Sequence, residues 1–478
     1  MATPIPDNQA RFALDELARI CAGEWRDLDG RSAEIVGVST DSRSVPAGGL
    51  FVALAGERHD GHAFVPSALE RGALALVARG RVRSGPRLEV DDPLAALGRI
   101  GRAWLERRRA EDDLPLLAVG GSAGKTSTKT LAAAAVRAGF GETLVTAGNL
   151  NNRIGVPMTL LTLTPAHRAA VIECGTSEPG EIAELGRILS PDVALVTNVG
   201  IEHSEKLGSL AEIADEEADL LRAAGRVAVT LADEPLLVER LAGVRAPGRL
   251  TFGLDPGADV RILGREPRAE GGSRIRFRLP GGGERSISTP LLGGSAALNL
   301  AAALAGCLAL LGRPPGEERL AAILDGLASV PPVPGRLRPL EAAGALVLDD
   351  TYNSNPASLR AALETAIELA TARRARLLLA LGDMLELGGL AASSHDEMVR
   401  SASASGAAEV LLVGPESCAA ATRAGRSGLR LYADSIAAAA AIRALIRPGD
   451  VLLVKGSRGI ATERIVSALE SDPPTTPE

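Results

Sequence analysis

The sequence predicts an α/β protein of three domains with mainly parallel sheets, and three observations support this fold class. The chain has 478 residues, which is too long for a single hydrophobic core and typical of about three domains. Short aliphatic and β-branched runs alternate with helix-length segments along most of the chain. A glycine-rich stretch, residues 118–126, lies between a strand-like run and a helical segment. This order of elements is typical of parallel sheets covered by helices.

The composition argues against several classes of binding partner. Hydrophobic residues make up 46% and charged residues 23% of the chain, as in ordinary globular proteins. Aromatic residues are only 2%, which argues against aromatic platforms for single-stranded nucleic acid. The net charge of −7 provides no basic field for DNA or for an anionic membrane. We therefore expect no nucleic-acid partner, and we expect local donors to bind any anionic substrate.

Cysteine usage and the N-terminus predict a cytoplasmic protein. The four cysteines, Cys21, Cys174, Cys307 and Cys418, form no CxxC pair, so we expect reduced and mostly buried thiols. The N-terminus lacks the cationic and then apolar pattern of a signal peptide. Residues 291–311 contain no charge, but glycine, serine and asparagine interrupt them, which favours a buried helix over membrane insertion.

The first block, residues 1–112, mixes strand-like runs with helices. Leu50–Leu54 and Leu74–Val77 have the aliphatic character of buried strands. A charged helix at Arg99–Arg109 closes the block, and the charges that follow it indicate a solvated helix end and a linker. We therefore expect a small first domain that ends near residue 112.

The second block, residues 113–330, begins with an anion-binding loop between a predicted strand, Leu114–Val119, and a predicted helix, Thr126–Arg137. Glycines let backbone N–H groups approach phosphate oxygens, and the helix dipole adds positive potential. Lys125 would reach the β- and γ-phosphates of ATP, and the Thr126 hydroxyl would bind Mg²⁺. The alternative is a glycine-rich turn with a surface lysine, since Val119 stands where the general motif has its first glycine. The predicted cofactor-binding residues of the loop are Gly121, Ser122, Ala123, Gly124, Lys125, Thr126 and Ser127.

Polar residues follow the next predicted strands of this block. Glu173 follows Ala170–Ile172, and His203 lies shortly after Val193–Val196. Ligands of an open α/β sheet gather at the carboxyl ends of its strands, so both side chains should converge on the phosphate loop. A carboxylate and an imidazole beside a triphosphate predict a magnesium site that includes Thr126. The alternatives are an exposed strand-end charge for Glu173 and a capping or core histidine for His203.

The third block, residues 331–478, follows a proline cluster, Val330–Gly335, that bars regular structure. Further aliphatic runs alternate with helical sequence, so we expect a smaller doubly wound α/β domain with a frayed tail from Ser471. Its predicted strands are Ala345–Leu348, Arg376–Ala380, Glu409–Val413 and Val451–Val454.

Several strings of the first two blocks resemble a known family. The phosphate loop with Gly148–Pro157, Val171–Cys174 and Thr197–His203 resembles the central domain of the Mur ligases. These are the ATP-dependent amide-bond ligases of peptidoglycan precursor synthesis. Thr40–Arg43 and the sequence up to His62 resemble the uridine-nucleotide-binding first domain of two family members. The resemblance covers nearly the whole chain.

Strings of the third block indicate the branch of the family. Asp349–Pro356, Leu381–Gly388 and Lys455–Arg458 resemble the members that add D-alanyl-D-alanine. The Asp-Asn-Pro-Arg string expected of a diaminopimelate-adding member is absent. The resemblance implies a UDP-substrate domain, a P-loop ATPase domain and a C-terminal Rossmann-like domain for the dipeptide. It implies that the protein joins D-alanyl-D-alanine to UDP-N-acetylmuramoyl-tripeptide through an acyl phosphate. We also expect a monomer. The alternatives are a ligase for another amino acid, a weakened UDP-peptide-binding relative and a P-loop kinase.

The resemblance also implies roles for single residues. Arg336 would approach the phosphates once the third domain closes, Asp350 would contact the ribose, and Asn299 would lie near the adenine. The catalytic residues it implies are Lys125, Glu173, His203 and Arg336. The substrate-binding residues it implies are Asp41, Ser42, Arg43, Asn149, Asn152, Tyr352, Asn353, Asn355, Lys455 and Ser457.

The chain departs from the family pattern at two places. Glu217 stands where the family carries a carbamylated lysine that helps to hold a second metal, so we expect Glu217 to supply a permanent carboxylate there. The alternative is a solvated residue among the other acids of this helix. Ser295 and Ala296 replace a family His-Asn pair near the nucleotide, so nucleotide contacts at this place must differ.

Overall fold

The computed structural model describes residues 3–28, 33–56, 59–201, 204–268 and 271–470. Within these residues the strands form three large sheets, one for each predicted block, and one separate two-stranded pair. Helices cover the sheets, so the predicted α/β class with three domains is confirmed.

The first domain has a five-stranded sheet in the order β2-β7-β6-β5-β4, parallel except for the β2–β7 pair. Asp92 caps the long helix α3 by accepting hydrogen bonds from the N–H groups of Leu94 and Ala95, and Pro93 supplies its first turn. The elements are β1 (Arg11–Ala13), α1 (Leu14–Cys21), β2 (Glu24–Arg26), β3 (Glu34–Val36), β4 (Val38–Ser39), β5 (Leu50–Val52), α2 (Val65–Glu70), β6 (Leu74–Ala78), β7 (Arg87–Val90) and α3 (Pro93–Asp112).

The central domain has a nine-stranded sheet in the order β16-β15-β14-β13-β12-β11-β8-β10-β9, and only β14 to β16 pair antiparallel. Its first elements are β8 (Leu116–Gly120), α4 (Lys125–Phe140), β9 (Thr143–Val145), α5 (Gly155–Leu160), β10 (Ala169–Glu173), α6 (Glu181–Leu189), β11 (Val193–Val196), α7 (Ser204–Leu207) and α8 (Leu210–Arg222). The others are β12 (Val227–Leu231), α9 (Pro235–Leu241), β13 (Gly248–Gly253), β14 (Val260–Pro267), β15 (Ser273–Arg278), β16 (Glu284–Thr289), α10 (Gly293–Leu311) and α11 (Glu317–Ala328).

The register of the central sheet positions the site. Strand β8 lies between β10 and β11, and pairing aligns Glu173 with Val119 and Val196 with Gly120. Alternate side chains of β8 pack on α4, α10 and α11 on one face and on α6, α8 and α9 on the other. The carboxyl ends of the three strands therefore meet at the loop that follows β8.

Helix α10 is long and apolar enough, by length and composition, to cross a membrane. In the structure, 67% of its most apolar stretch is buried, and its Leu300 and Leu304 belong to the core of the central domain. This agrees with the predicted buried helix.

The third domain has a six-stranded sheet in the order β17-β18-β22-β19-β20-β21, parallel except for the β17–β18 pair. Helices α12 to α14 cover one face and α15 and α16 the other, as predicted for a doubly wound domain. The elements are β17 (Arg338–Ala342), β18 (Ala345–Asp350), α12 (Pro356–Arg373), β19 (Leu377–Gly382), α13 (Ala391–Ala404), β20 (Glu409–Val413), α14 (Pro415–Ala424), β21 (Leu429–Tyr432), α15 (Ser435–Leu445), β22 (Val451–Lys455) and α16 (Glu463–Glu470).

The cysteines are free thiols, and three of the four are buried. Burial raises the pKa of the Cys21 and Cys307 thiols to about 12, and it also raises the pKa of Cys174. Cys418 is half-buried rather than enclosed. These thiols are protonated at neutral pH and therefore poor nucleophiles.

Candidate functional site

The loop between β8 and α4 has the geometry of an anion cradle. Gly121 and Gly124 have φ values of +117° and +82°, which side chains other than glycine rarely adopt. A Cβ on Gly124 would lie 2.5 Å from Asn299 Oδ1, so the close packing of the loop also requires glycine. Lys125 is the first residue of α4, which places the helix N-terminus against the loop.

Two residues at the end of β11 hold this loop, and the predicted site did not include them. Asn198 Oδ1 accepts a hydrogen bond from Ala123 N at 2.8 Å, and Thr197 Oγ1 donates to Ala123 O at 2.7 Å. Their position directly after a strand that neighbours β8 is the sequence signal that could have found them.

Lys125 is half-buried. Its Nζ donates to Gly121 O and lies 3.4 Å from Ser122 O, so the side chain curls back over the loop. Ser122 Oγ is buried and has no hydrogen-bond partner among the residues that the structure describes. A bound phosphate oxygen would satisfy this buried hydroxyl by accepting its hydrogen bond.

Glu173 is a buried centre of polar contacts at the end of β10, with 2% of its surface exposed, so the interpretation as an exposed strand-end charge is wrong. Its Oε1 accepts hydrogen bonds from Thr126 Oγ1 at 3.2 Å and from Asn151 Nδ2 at 2.9 Å. Its Oε2 lies 3.2 Å from Nζ of the buried Lys129. Sequence reasoning missed Lys129, although it lies one helical turn after Lys125 and therefore on the same face of α4.

The described residues contain no group of three His, Cys, Asp or Glu side chains that could hold a metal ion by itself. His203 lies outside the described residues. Thr126 Oγ1 and Glu173 Oε1 nevertheless form an oxygen pair beside the phosphate loop. Magnesium is usually bound by one or two carboxylates, with waters and substrate phosphates completing its shell, so this donor set fits it.

Glu217 is fully buried beneath the phosphate loop, so the interpretation as a solvated helix residue is wrong. Its Oε2 accepts a hydrogen bond from Gly121 N at 2.7 Å. Helix α8 is amphipathic, and Glu217 lies on its inner face with Ile213, Ala214 and Leu220. The carboxylate therefore supports the glycine that opens the cradle.

A cavity of about 300 Å³ lies between the phosphate loop, α10 and the third domain. This is the lower end of the usual volume of small-ligand sites. Asn299, Arg336, Asp350 and Ser295 are among its polar lining, and Asn299 Oδ1 accepts a hydrogen bond from Thr128 Oγ1 at 3.2 Å. Part of its apolar wall is formed by Phe252, Leu291, Leu292 and Leu298, which sequence reasoning did not identify.

Arg336 reaches the phosphate loop from the start of the third domain. Its Nη2 donates to Thr126 Oγ1 at 3.1 Å. Its guanidinium carbon lies 4.1 Å from the ring centroid of Tyr352, and that of Arg458 lies 5.5 Å from the same centroid. The structure therefore brings the hinge arginine, and with it Tyr352 of the Asp349–Pro356 string, to the loop between β8 and α4.

Several predicted substrate-binding residues of the third domain make internal contacts. Lys455 Nζ is buried and donates to Asp350 Oδ2 at 2.6 Å and to Asn353 O at 2.9 Å. Ser457 Oγ accepts from Leu385 N at 2.9 Å, and Asn355 caps α12. These side chains fix the shape of the loops around Asp350.

The predicted residues of the first domain and of the segment after Gly148 make local contacts. Asp41 and Arg43 form a bidentate ion pair, and the Arg43 side-chain hydrogen bond is the largest cause that lowers the pKa of Asp41. Ser42 is buried. Asn149 Oδ1 accepts a hydrogen bond from Thr3 Oγ1, and Asn152 Oδ1 accepts hydrogen bonds from Ile154 N and Gly155 N in the turn that precedes α5.

The first domain has a cavity of its own, of about 270 Å³, that the predicted residues do not line. His62, Arg81 and Asp92 contribute to its wall. His62 Nε2 accepts a hydrogen bond from Ala78 N at 2.9 Å, and His62 Nδ1 lies 2.6 Å from Asp60 Oδ1. The His62 contact is the largest cause that lowers the pKa of Asp60 to about 2.

Comparisons with known proteins agree with this architecture. Three family models match the chain: the Mur ligase family catalytic domain at residues 34–103, the Mur ligase middle domain at 119–307 and the Mur ligase glutamate ligase domain at 335–458. The UDP-N-acetylmuramoyl-tripeptide–D-alanyl-D-alanine ligase of Escherichia coli is 37% identical over 467 residues, which are 96% of this chain and 98% of that protein.

Solved structures of MurF proteins also match this chain over nearly its whole length. A crystal structure of MurF from Acinetobacter baumannii has a TM-score of 0.86 and 29% identity, and the match covers 98% of this chain and 100% of that one. MurF of Thermotoga maritima in complex with ADP has a TM-score of 0.79 and 28% identity, and the match covers 93% and 98% of the two chains.

Proposed function

Because the chain belongs to the Mur ligase family, we propose that it joins D-alanyl-D-alanine to UDP-N-acetylmuramoyl-tripeptide with hydrolysis of ATP. It is an ATP-dependent C–N bond-forming ligase of peptidoglycan precursor synthesis. The main support for the proposal is the hydrogen bond from Arg336 to Thr126, which connects the third domain to the phosphate loop. A ligase that activates one substrate and then couples it to another needs this arrangement.

The reaction has two steps. A carboxylate of the tripeptide attacks the γ-phosphorus, the bond to the ADP oxygen breaks, and an acyl phosphate forms. The amine of the dipeptide then attacks the acyl carbon, and inorganic phosphate leaves as the amide forms. Both steps place negative charge beside the phosphate loop, where Lys125, Arg336 and the backbone N–H groups of the cradle would stabilise it.

Nucleotide binding is supported by the ADP complex of the related Thermotoga protein and by the cavity beside the loop. Within that cavity we assign the ribose to Asp350 and the adenine to the surroundings of Asn299. The assigned cofactor contacts of the loop are Gly121, Ser122, Ala123, Gly124, Lys125, Thr126 and Ser127. The donor atoms at Thr126 and Glu173 would hold Mg²⁺, which when bound neutralises phosphate charge. His203 and Glu217 complete the proposed set near the ion.

We assign one role to each domain. Residues 1–112 bind the UDP-substrate, residues 113–330 bind ATP, and residues 331–478 bind the incoming dipeptide. We expect the protein to act as a monomer in the cytoplasm. The proposed substrate contacts are Asp41, Ser42, Arg43, Asn149, Asn152, Asn353, Asn355, Lys455 and Ser457, of which Asn355, Lys455 and Ser457 also shape the loops that carry them.

Phosphate release from ATP with UDP-N-acetylmuramoyl-tripeptide tests the function directly. We expect sustained release only when D-alanyl-D-alanine is also present, with one equivalent of UDP-N-acetylmuramoyl-pentapeptide formed for each phosphate. Preference for another amino acid would indicate a different ligase of the family. A stable phosphorylated product without any amine would indicate a kinase, and binding of the UDP-peptide without turnover would indicate a weakened relative.

A further inference from the structure

The Tyr352 ring contacts two arginines of the third domain. The guanidinium carbon of Arg336 is 4.1 Å from the ring centroid, and that of Arg458 is 5.5 Å from it. Both distances are within the range of cation–π attraction. The two positive charges therefore share one aromatic ring at the edge of the nucleotide cavity.

The backbone fixes Tyr352 beside the arginine. Tyr352 N donates to Gly335 O at 3.0 Å, and Gly335 N donates to Asp349 Oδ2 at 3.0 Å. Gly335 has a φ of +71°, and a Cβ added to it would lie 3.2 Å from Tyr352 Cβ. The hinge that carries Arg336 and the loop that carries Tyr352 thus form one closely packed unit.

The side chain of Arg336 depends on this ring for its direction. Its Nη2 donates to Thr126 Oγ1, whereas its buried Nε has no hydrogen-bond partner among the residues that the structure describes. A long side chain with few fixed contacts loses rotamer entropy when it is held in one place, and stacking on a ring offsets part of that cost.

We propose that Tyr352 is a positioning residue for Arg336: its ring holds the guanidinium at the phosphate loop. The resemblance to the family gives Tyr352 a contact with the incoming amine, so this inference assigns it a different task. It rests on the proposed function only for the catalytic measurements, because nucleotide affinity can be measured without turnover.

Four variants of the full chain test the proposal: Tyr352→Phe, Tyr352→Leu, Arg336→Ala and the double variant Arg336→Ala/Tyr352→Leu. We expect Tyr352→Leu to lower kcat about 5- to 30-fold, because a half-buried cation–π contact is worth about 1–2 kcal/mol. Tyr352→Phe keeps the ring and should therefore lose much less kcat than Tyr352→Leu. The double variant should equal Arg336→Ala alone, since the ring acts through the arginine.

Calorimetric titration with a non-hydrolysable ATP analogue and with ADP supplies a readout that is independent of ligation. Tyr352→Leu should weaken binding of the ATP analogue more than binding of ADP, and Tyr352→Phe should change neither. A rise in KM for D-alanyl-D-alanine, multiplicative losses in the double variant, or equal losses for both nucleotides would overturn the proposal. Failure of wild type to use the dipeptide would instead refute the proposed function and leave the titration as the deciding test of Tyr352.

Discussion

Arg336 Nη2 donates a hydrogen bond to Thr126 Oγ1 over 3.1 Å, across the boundary between the third and the central domain. The same hydroxyl donates to Glu173 Oε1 at 3.2 Å. One threonine therefore connects the hinge arginine with the buried carboxylate at the end of β10. Any movement of the third domain that withdraws Arg336 also opens the phosphate site.

Lys125→Ala should abolish ligation and leave the fold intact, because the charge of Lys125 is useful chiefly when phosphate is present. We expect kcat to fall by about 10²- to 10³-fold, the usual effect of losing one preorganised electrostatic contact. Turnover by phosphate release and folding by circular dichroism are the measurements. Lys206→Ala, at an exposed lysine paired with Glu178, is the control and should behave as wild type. More than a few per cent of residual turnover in Lys125→Ala would contradict the assigned role of the loop.

Arg336→Ala should lower kcat far more than it weakens binding of the UDP-peptide. The reason is that Arg336 contacts the phosphate loop, whereas the proposed UDP-substrate domain lies in residues 1–112. Arg336→Lys keeps the charge but not the planar group that stacks on Tyr352, so it should restore only part of the activity. An equal loss of UDP-peptide affinity would indicate that Arg336 binds substrate instead.

Glu217→Gln should raise the magnesium concentration needed for half-maximal activity, and wild-type activity should not change when bicarbonate is removed. Glutamate carries its charge permanently, so no carbon dioxide is required. Glu217→Lys would then recover activity only with added bicarbonate. Glu217→Ala should also destabilise the fold by roughly 1–3 kcal/mol in urea unfolding, because Gly121 N loses a buried acceptor. Asp219→Asn on the same helix is the control, and an unchanged magnesium dependence of Glu217→Gln would contradict the metal role.

Lys129→Met should destabilise the protein by roughly 3–5 kcal/mol, because Glu173 is left as a buried charge without its cation. Magnesium should recover part of this loss if Glu173 binds the ion. Urea unfolding with and without magnesium measures both effects, and Lys129→Met combined with Glu173→Gln should be more stable than Lys129→Met alone. Equal destabilisation at all magnesium concentrations would show that the ion does not reach Glu173.

Secondary structure was predicted best where the residue pattern of a segment and its place in the sheet favour the same element. The aliphatic runs gave the central parallel strands, since strands buried on both faces are apolar throughout. The short outer strands β17 and β21 were missed because their side chains are half-exposed and mix with charges. The loop that follows Gly148 shows a second limit. Asn151 contacts Glu173, whereas the neighbouring Asn152 bonds to the backbone of its own turn, and only the fold of the loop distinguishes these two roles. The stacking of Arg336 on Tyr352 likewise depends on tertiary contacts.

Transfer of a labelled oxygen tests the central claim most directly. The tripeptide carboxylate attacks phosphorus, and the amine later displaces phosphate from the acyl carbon, so one carboxylate oxygen must leave with the phosphate. With ¹⁸O in that carboxylate of UDP-N-acetylmuramoyl-tripeptide, ATP and D-alanyl-D-alanine, mass spectrometry should find one ¹⁸O in each inorganic phosphate released. Phosphate without the label, formed together with the ligated product, would show that the carboxylate is not phosphorylated and would contradict the proposed ligase mechanism.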